Sequence, residues 1–373
     1  MRSLRDLEGK PRSNAVAFFL TALFCFGIVL ASRMPAQQPG IPIAWGSANP
    51  RFTTFDVPGT GTTPDLGTVP SSINKAGTIA GSYSDGQNHG FLRAPGGAIT
   101  SFDAPGSTDT IAVAINTAGA IAGYYFDANF TSHGFLRAVT SVITAFDVPG
   151  AGTGANQGTF AYTINTAGAA AGIYTDASGA VHGFVRSAPG VITTFDAPGA
   201  GYYGTVPQSI NGAGAIAGYY FDPDLTLHGF LRAATGAITT FDAPGTGSNI
   251  STHAAGINEA GCITGFYADS VSTHGFVRAA DGTITGFDAP DATITESLGI
   301  DAAGFVTGVY YDSASVFHGF VRAPGGAIAT FQAPGAGRGL GQGTEADGIN
   351  QRGAIAGYYI DANYVFHGFL LTP

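Results

Sequence analysis

The tripeptide His-Gly-Phe occurs seven times in this chain, at His89, His133, His182, His228, His274, His318 and His367, and takes seven of its eight histidines. Each copy sits in a longer unit of about 46 residues. A unit that short cannot bury a core alone and must stack on its neighbours, so the chain reads as one repeat array instead of several unrelated domains. The repetition also reverses the usual reading of histidine. A residue present in every copy is scaffold before it is an active site.

One unit runs Gly236-Ala-Ile-Thr-Thr-Phe-Asp-Ala-Pro-Gly245, then Ala255-Gly-Ile-Asn258, Glu259-Ala-Gly-Cys-Ile-Thr-Gly-Phe-Tyr267 and His274-Gly-Phe-Val-Arg278. Short β-branched and aromatic runs bounded by Gly, Pro, Asn and Asp read as four strands, with no helical period. From His to the next Phe-Asp aspartate is 14 residues in five copies, as from His89 to Asp103, and the same step from His318 reaches Gln332. So constant a spacing marks a hairpin. The step from Phe-Asp to the next Ile-Asn varies, 18 from Asp56 to Asn74 but 13 from Asp103 to Asn116. A connection that tolerates length change is a crossing between units.

These spacings predict an all-β, seven-bladed β-propeller over residues 51–373, with Ile-Asn on the innermost strand and Thr-Phe-Asp on the outermost. The chain ends before its last outer strand and opens its repeats with an unpaired one. The segment 52–57 is therefore expected to complete the last blade and close the ring.

The recurring His-Gly-Phe resembles the HAF-type extracellular repeat of bacteria, with glycine in place of alanine in all seven copies, across about residues 52–373. The resemblance implies an exported bacterial repeat protein and no particular reaction.

The N-terminus supports export. Basic residues up to Arg12 lead into an apolar run from Ala15 to Ala31, with small residues at Ala31 and Ala36 as cleavage points. Residues 1–36 read as a signal peptide or retained anchor and 37–50 as a linker, which places the repeats outside the cell, on its surface or in a periplasm. Only such an uncleaved segment would contact a membrane. From Arg51 onward there are 10 basic and 23 acidic residues, a balance that excludes nucleic-acid binding. Cys25 lies in the apolar run and Cys262 replaces an alanine of other copies, so no disulfide is expected in the mature chain.

The repeated groups read as structural. His pairs with the aspartate opposite it across the hairpin, and each recurrent arginine packs its stem between blades and pairs a carboxylate. The turn aspartates cap their own turns. Three of those turns carry a second oxygen ligand, Asp127 with Asn129, Asp222 with Asp224 and Asp361 with Asn363, which leaves room for calcium. No other cofactor and no catalytic motif is evident.

Function is therefore sought where the copies differ, in crossing loops gathered on one face. These are expected to carry Gln157, Phe160, Tyr162, Tyr202, Tyr203, Asn249, His253, Asp291, Glu296, Arg338 and Glu345. Tyr162, Tyr202, Tyr203, Asn249, His253, Glu296 and Arg338 form the candidate ligand site. Aromatics beside amides suit stacking on sugars or gripping a peptide. Two readings stand open: a binding or scaffold module for a glycan or protein partner, and an extracellular hydrolase or lyase built on His253, Glu296, Asp291 and Tyr202 near the central channel.

Overall fold

The computed structural model describes residues 50–245 and 251–373. The expected export segment, nearly all of the linker and Asn249 lie outside the described residues. Among the described residues the regular structure is all β, 28 strands. After β1 (Arg51–Phe55) the strands fall into units of four, the first being β2 (Gly67–Ile73), β3 (Ile79–Ser84), β4 (Asn88–Arg93) and β5 (Ile99–Phe102). Within a unit, neighbours in sequence are antiparallel neighbours in space. The last unit ends with β28 (Phe366–Thr372), and its fourth strand is β1, paired antiparallel from Arg51 with Thr372 to Phe55 with Gly368.

The hairpins follow from their turn residues. In the first, the Asn74 side-chain oxygen accepts from the Ala76 and Thr78 backbones, while Gly77 takes a φ of 90° that a side chain would resist. The core is the phenylalanine of His-Gly-Phe, fully buried in all seven copies. The glycine before it is a packing requirement. A Cβ at Gly90 would lie 2.6 Å from the ring of Phe102, which folds across from the outer strand, and 2.3 Å from Phe331 at Gly319. An alanine there would press on the outer-strand phenylalanine, whose ring lies where its Cβ would go.

The expected His–Asp pairs form. His89 Nδ1 lies 2.9 Å from Asp103 and His367 Nδ1 lies 2.9 Å from Asp56. Each of these rings also stacks on the tyrosine of the second strand, as on Tyr83 at 5.1 Å, and turns Nε2 toward the turn aspartate, 3.4 Å from Asp85. One histidine thus ties three strands and a turn. The arginines differ from expectation: six guanidinium groups lie over the outer-strand Phe of the preceding unit, Arg93 over Phe55 at 4.8 Å, for example, and none of the six is in an ion pair with a carboxylate among the described residues. A ring face is an attractive surface for a partly buried cation that makes no ion pair.

The first strand of each unit is longer than the Ile-Asn signature suggests. β10 (Gly158–Ile164), β18 (Ser251–Ile257), β22 (Ile294–Ile300) and β26 (Gly343–Ile349) show its extent. Its early threonine, from Thr68 to Thr344, is fully buried, and its Oγ1 accepts from the backbone just after Phe-Asp, as Thr68 does from Val57 at 3.0 Å. Each of these strands then carries a β-bulge three residues after that threonine, at Asp347 in β26.

Candidate functional site

All seven first strands end around one cavity of about 230 Å³, lined by their seven Ile-Asn or Ile-Asp pairs. There the asparagine amides form a relay. Asn74 Nδ2 donates to Asn116 O at 3.2 Å, Asn116 to Asn165 O at 3.0 Å, and the series continues through Asn211 and Asn258 to Asp301 O. Asn350 Nδ2 donates to Asn74 O at 2.9 Å. The single break is Asp301, whose carboxylate has no N–H to give to residue 350. Burial raises its pKa, so the defect is largest when the group is ionised. Asp301→Asn is expected to raise the melting temperature at pH 8 by about 2 °C, the yield of roughly one added hydrogen bond. The gain should shrink as pH falls below the ordinary carboxylate range, where a protonated Asp301 can itself donate. A gain there equal to that at pH 8 would refute the relay argument.

Above this mouth, the residue following the buried threonine gives a second layer: Val69, Ile111, Phe160, Val206, His253, Glu296 and Glu345. Phe160 packs on Tyr124 of the preceding unit at 5.0 Å. His253 lies between Phe266 at 4.4 Å and Tyr219 at 4.1 Å, and burial holds its pKa down to about 4. It is a neutral ring at physiological pH, and its Nδ1 has no partner.

The next two units place acids where the first four carry apolar groups. Glu296 is 7% exposed, and no hydrogen bond reaches its carboxyl from the described residues. Burial, and then the neighbouring Glu345, push its pKa up to about 8. Glu345 accepts from the Tyr358 hydroxyl at 2.7 Å, and burial raises it too. Asp347, the bulge residue of β26, leaves Oδ2 buried without a partner, and burial followed by Glu345 raises its pKa strongly. Tyr311 and Tyr358 stand beside these carboxyls and are raised by burial and by that negative charge. Three carboxyls on adjacent strands thus meet with no lysine or arginine to balance them among the described residues.

This placement corrects the sequence reading. Phe160, Tyr162, His253, Glu296 and Glu345 were expected on crossing loops but lie within β10, β18, β22 and β26. The variable connection ends at the threonine, and the strand starts there. Tyr202 and Tyr203 do lie on an exposed loop, 54% and 52% accessible, with rings 5.4 Å apart and the Tyr202 hydroxyl donating to Ser178 O. Arg338 and Asp291 are exposed loop residues as well. None of these four belongs to the inner layer. Asp347 and Asp301 join the site without having been among the residues expected there.

The calcium candidates serve their own turns. Asp127 Oδ1 accepts from the Asn129 and Thr131 backbones at 2.8 and 2.9 Å, and Asp222 and Asp361 repeat this. Burial opposes ionisation and is the largest single influence at Asp127 and Asp361, but the turn hydrogen bonds together outweigh it, and all three pKa values are lowered. Among the described residues no group of three or more His, Cys, Asp or Glu side chains could hold a metal ion.

A streptogramin B lyase superposes with a TM-score of 0.56 at 15% identity, over 87% of this chain and 98% of that one. The fold is that of a β-propeller. A catalytically inactive virginiamycin B lyase from Staphylococcus aureus, crystallised with quinupristin, gives 0.54 at 14% identity over 87% of this propeller and 100% of its own chain. A lectin from Burkholderia pseudomallei gives 0.52 at 9% identity, over 83% and 96%. At such identities the likeness concerns the fold alone. No protein-family model matches this sequence, and no curated protein is significantly similar to it.

Proposed function

We propose that this chain is an exported, seven-bladed β-propeller of the HAF-repeat kind that serves as a binding module, its ligand a glycan or protein group entering the axial channel. The pairing of β1 with β28 and the bond from Asn350 to Asn74 support a closed ring. One observation carries the functional reading. The outer strands keep their repeat pattern in nearly every unit, while the inner layer departs from it at His253, Glu296, Glu345 and Asp347. A scaffold gains nothing there from acids, because Val69 and Val206 fill the same position.

The lectin neighbour gives the glycan reading a precedent of fold. Binding of the full chain to a glycan array, repeated with Glu345→Val, tests the proposal. Specific binding lost in the variant is the expected result. Binding untouched by Glu345→Val would move the site back to the exposed loop of Tyr202 and Tyr203.

A second reading has its own support. Glu296, with a pKa near 8, is protonated at neutral pH and could act as a general acid of a hydrolase or lyase. His253, on the adjacent first strand at the same register, is too weakly basic to be its partner base at that pH. Turnover of any bound glycan, abolished by Glu296→Gln, would favour this reading over binding alone.

A further inference from the structure

We infer that the inner acid cluster of Glu296, Glu345 and Asp347 receives a primary ammonium group carried by a small organic ligand. The inference rests on the channel being the binding site, as proposed above, and adds the chemistry of what is recognised. Glu296 is more than nine-tenths buried and has no hydrogen-bond partner, and Asp347 Oδ2 is buried with none. A mostly buried carboxyl that accepts no hydrogen bond, beside a fully buried unpaired carboxyl oxygen, is costly, and the described residues supply no donor to meet them. Its arginines are engaged elsewhere: six lie over Phe rings, and Arg338 and Arg352 are exposed. Lys75 lines the mouth of the channel and Arg51 lies on β1, the outer strand. Among the described residues no cation is therefore positioned to close the charge.

An ammonium group fits this set better than a metal ion does. Metal ligation needs donors converging on one point, and no such group is present among the described residues. A primary ammonium spreads three N–H donors toward separate acceptors, which suits carboxyls placed on two successive strands and a bulge. The surrounding surface agrees with this occupant. Tyr311 and Tyr358 stand beside the acids, and Phe266, His253 and Tyr219 stack together on the neighbouring units, aromatic surroundings suited to a cation carried on an apolar or ring-shaped body. Because Glu296 holds its proton at neutral pH, binding a cation there expels a proton to solvent.

Calorimetric titration of the full chain at pH 7, in two buffers of different ionisation enthalpy, tests this. The compounds are a glucosamine trimer with free amines and its N-acetylated counterpart, and benzylamine with benzyl alcohol. The amines should bind, their neutral counterparts should not, and heat should differ between buffers by about one released proton. The stronger of the two amines identifies whether the body is a sugar or an aromatic ring. Glu296→Gln should weaken amine binding by about tenfold or more and cut the proton release, while folding at least as stably as the parent. Absence of amine binding, equal binding of the neutral compounds, or unchanged affinity in Glu296→Gln each overturns the inference. Neutral glycans that bind and are lost with Glu345→Val would leave the channel reading intact while refuting the ammonium. Amine binding indifferent to both substitutions would refute both.

Discussion

Glu296→Gln will melt about 5 °C above the parent at pH 9 and within about 1 °C of it at pH 5.5. The sign follows from linkage. A carboxyl whose folded pKa stands above its unfolded value contributes stability that is fully present below the unfolded pKa and is lost as pH rises through the folded one. For Glu296 those limits are the ordinary 4.5 and about 8. The full shift would correspond to about 5 kcal/mol at about 1.4 kcal/mol per unit. Relaxation and water in the channel reduce this to an expected loss on the order of 3 kcal/mol in the parent. Glutamine keeps the shape and cannot ionise, so it escapes the loss. All other groups are shared by both proteins and cancel in the difference. Ionisation of Glu296 alone should make the parent lose stability as pH rises toward 9, and the raised carboxyls of Glu345 and Asp347 act in the same direction. Paired turn aspartates such as Asp222 act oppositely, but their contribution disappears only as pH falls below the carboxylate range. A parent and variant that differ equally at both pH values would show that Glu296 is not a buried, unpaired acid.

The repeat made much of this molecule legible in advance. The count of His-Gly-Phe copies, the constant step to Asp103 and its equivalents, and the unpaired segment at 52–57 all locate strands by spacing, and spacing survives in a sequence. The candidate site was less legible for a physical reason. His253, Glu296 and Glu345 are polar residues following a stretch of variable length, and such residues read as loop. Their position within a strand is set by the buried threonine just before each, which stands six residues ahead of the final Asn or Asp in every unit, as Thr295 does for Asp301. That spacing was available as a signal. The bulge at Asp347 was not, because an extra residue changes no pattern of its own and appears only when the two strands are paired. The amide relay is also invisible in sequence: Asn at a turn explains itself locally, and its second role depends on the next unit being alongside.

Deleting residues 50–58 should lower the melting temperature by more than 10 °C and leave a protein that self-associates, as read by calorimetry and light scattering. The segment forms all of β1, and its loss exposes five residues of β28 as an unpaired edge. It also removes two aromatic anchors. Phe52 sits 6.0 Å from Phe331 and 5.8 Å from Phe369, while Phe55 packs 6.2 Å from Phe91 and carries the Arg93 guanidinium on its face. Val57, 2% exposed and bonded to Thr68, goes with them. Losing two such phenylalanines costs roughly 3 kcal/mol each where fully packed, and somewhat less at these half-buried positions. The deletion alone cannot separate loss of a strand from loss of closure, but a peptide can. If β1 acts as the strand that joins the last unit to the first, a synthetic 50–58 peptide added to the deleted protein should restore most of the lost stability in a concentration-dependent way. The same peptide with Phe52 and Phe55 both changed to alanine should fail. Rescue by the altered peptide would show that backbone pairing suffices, and no rescue by either would mean that β1 must be covalently joined to hold the last unit against the first.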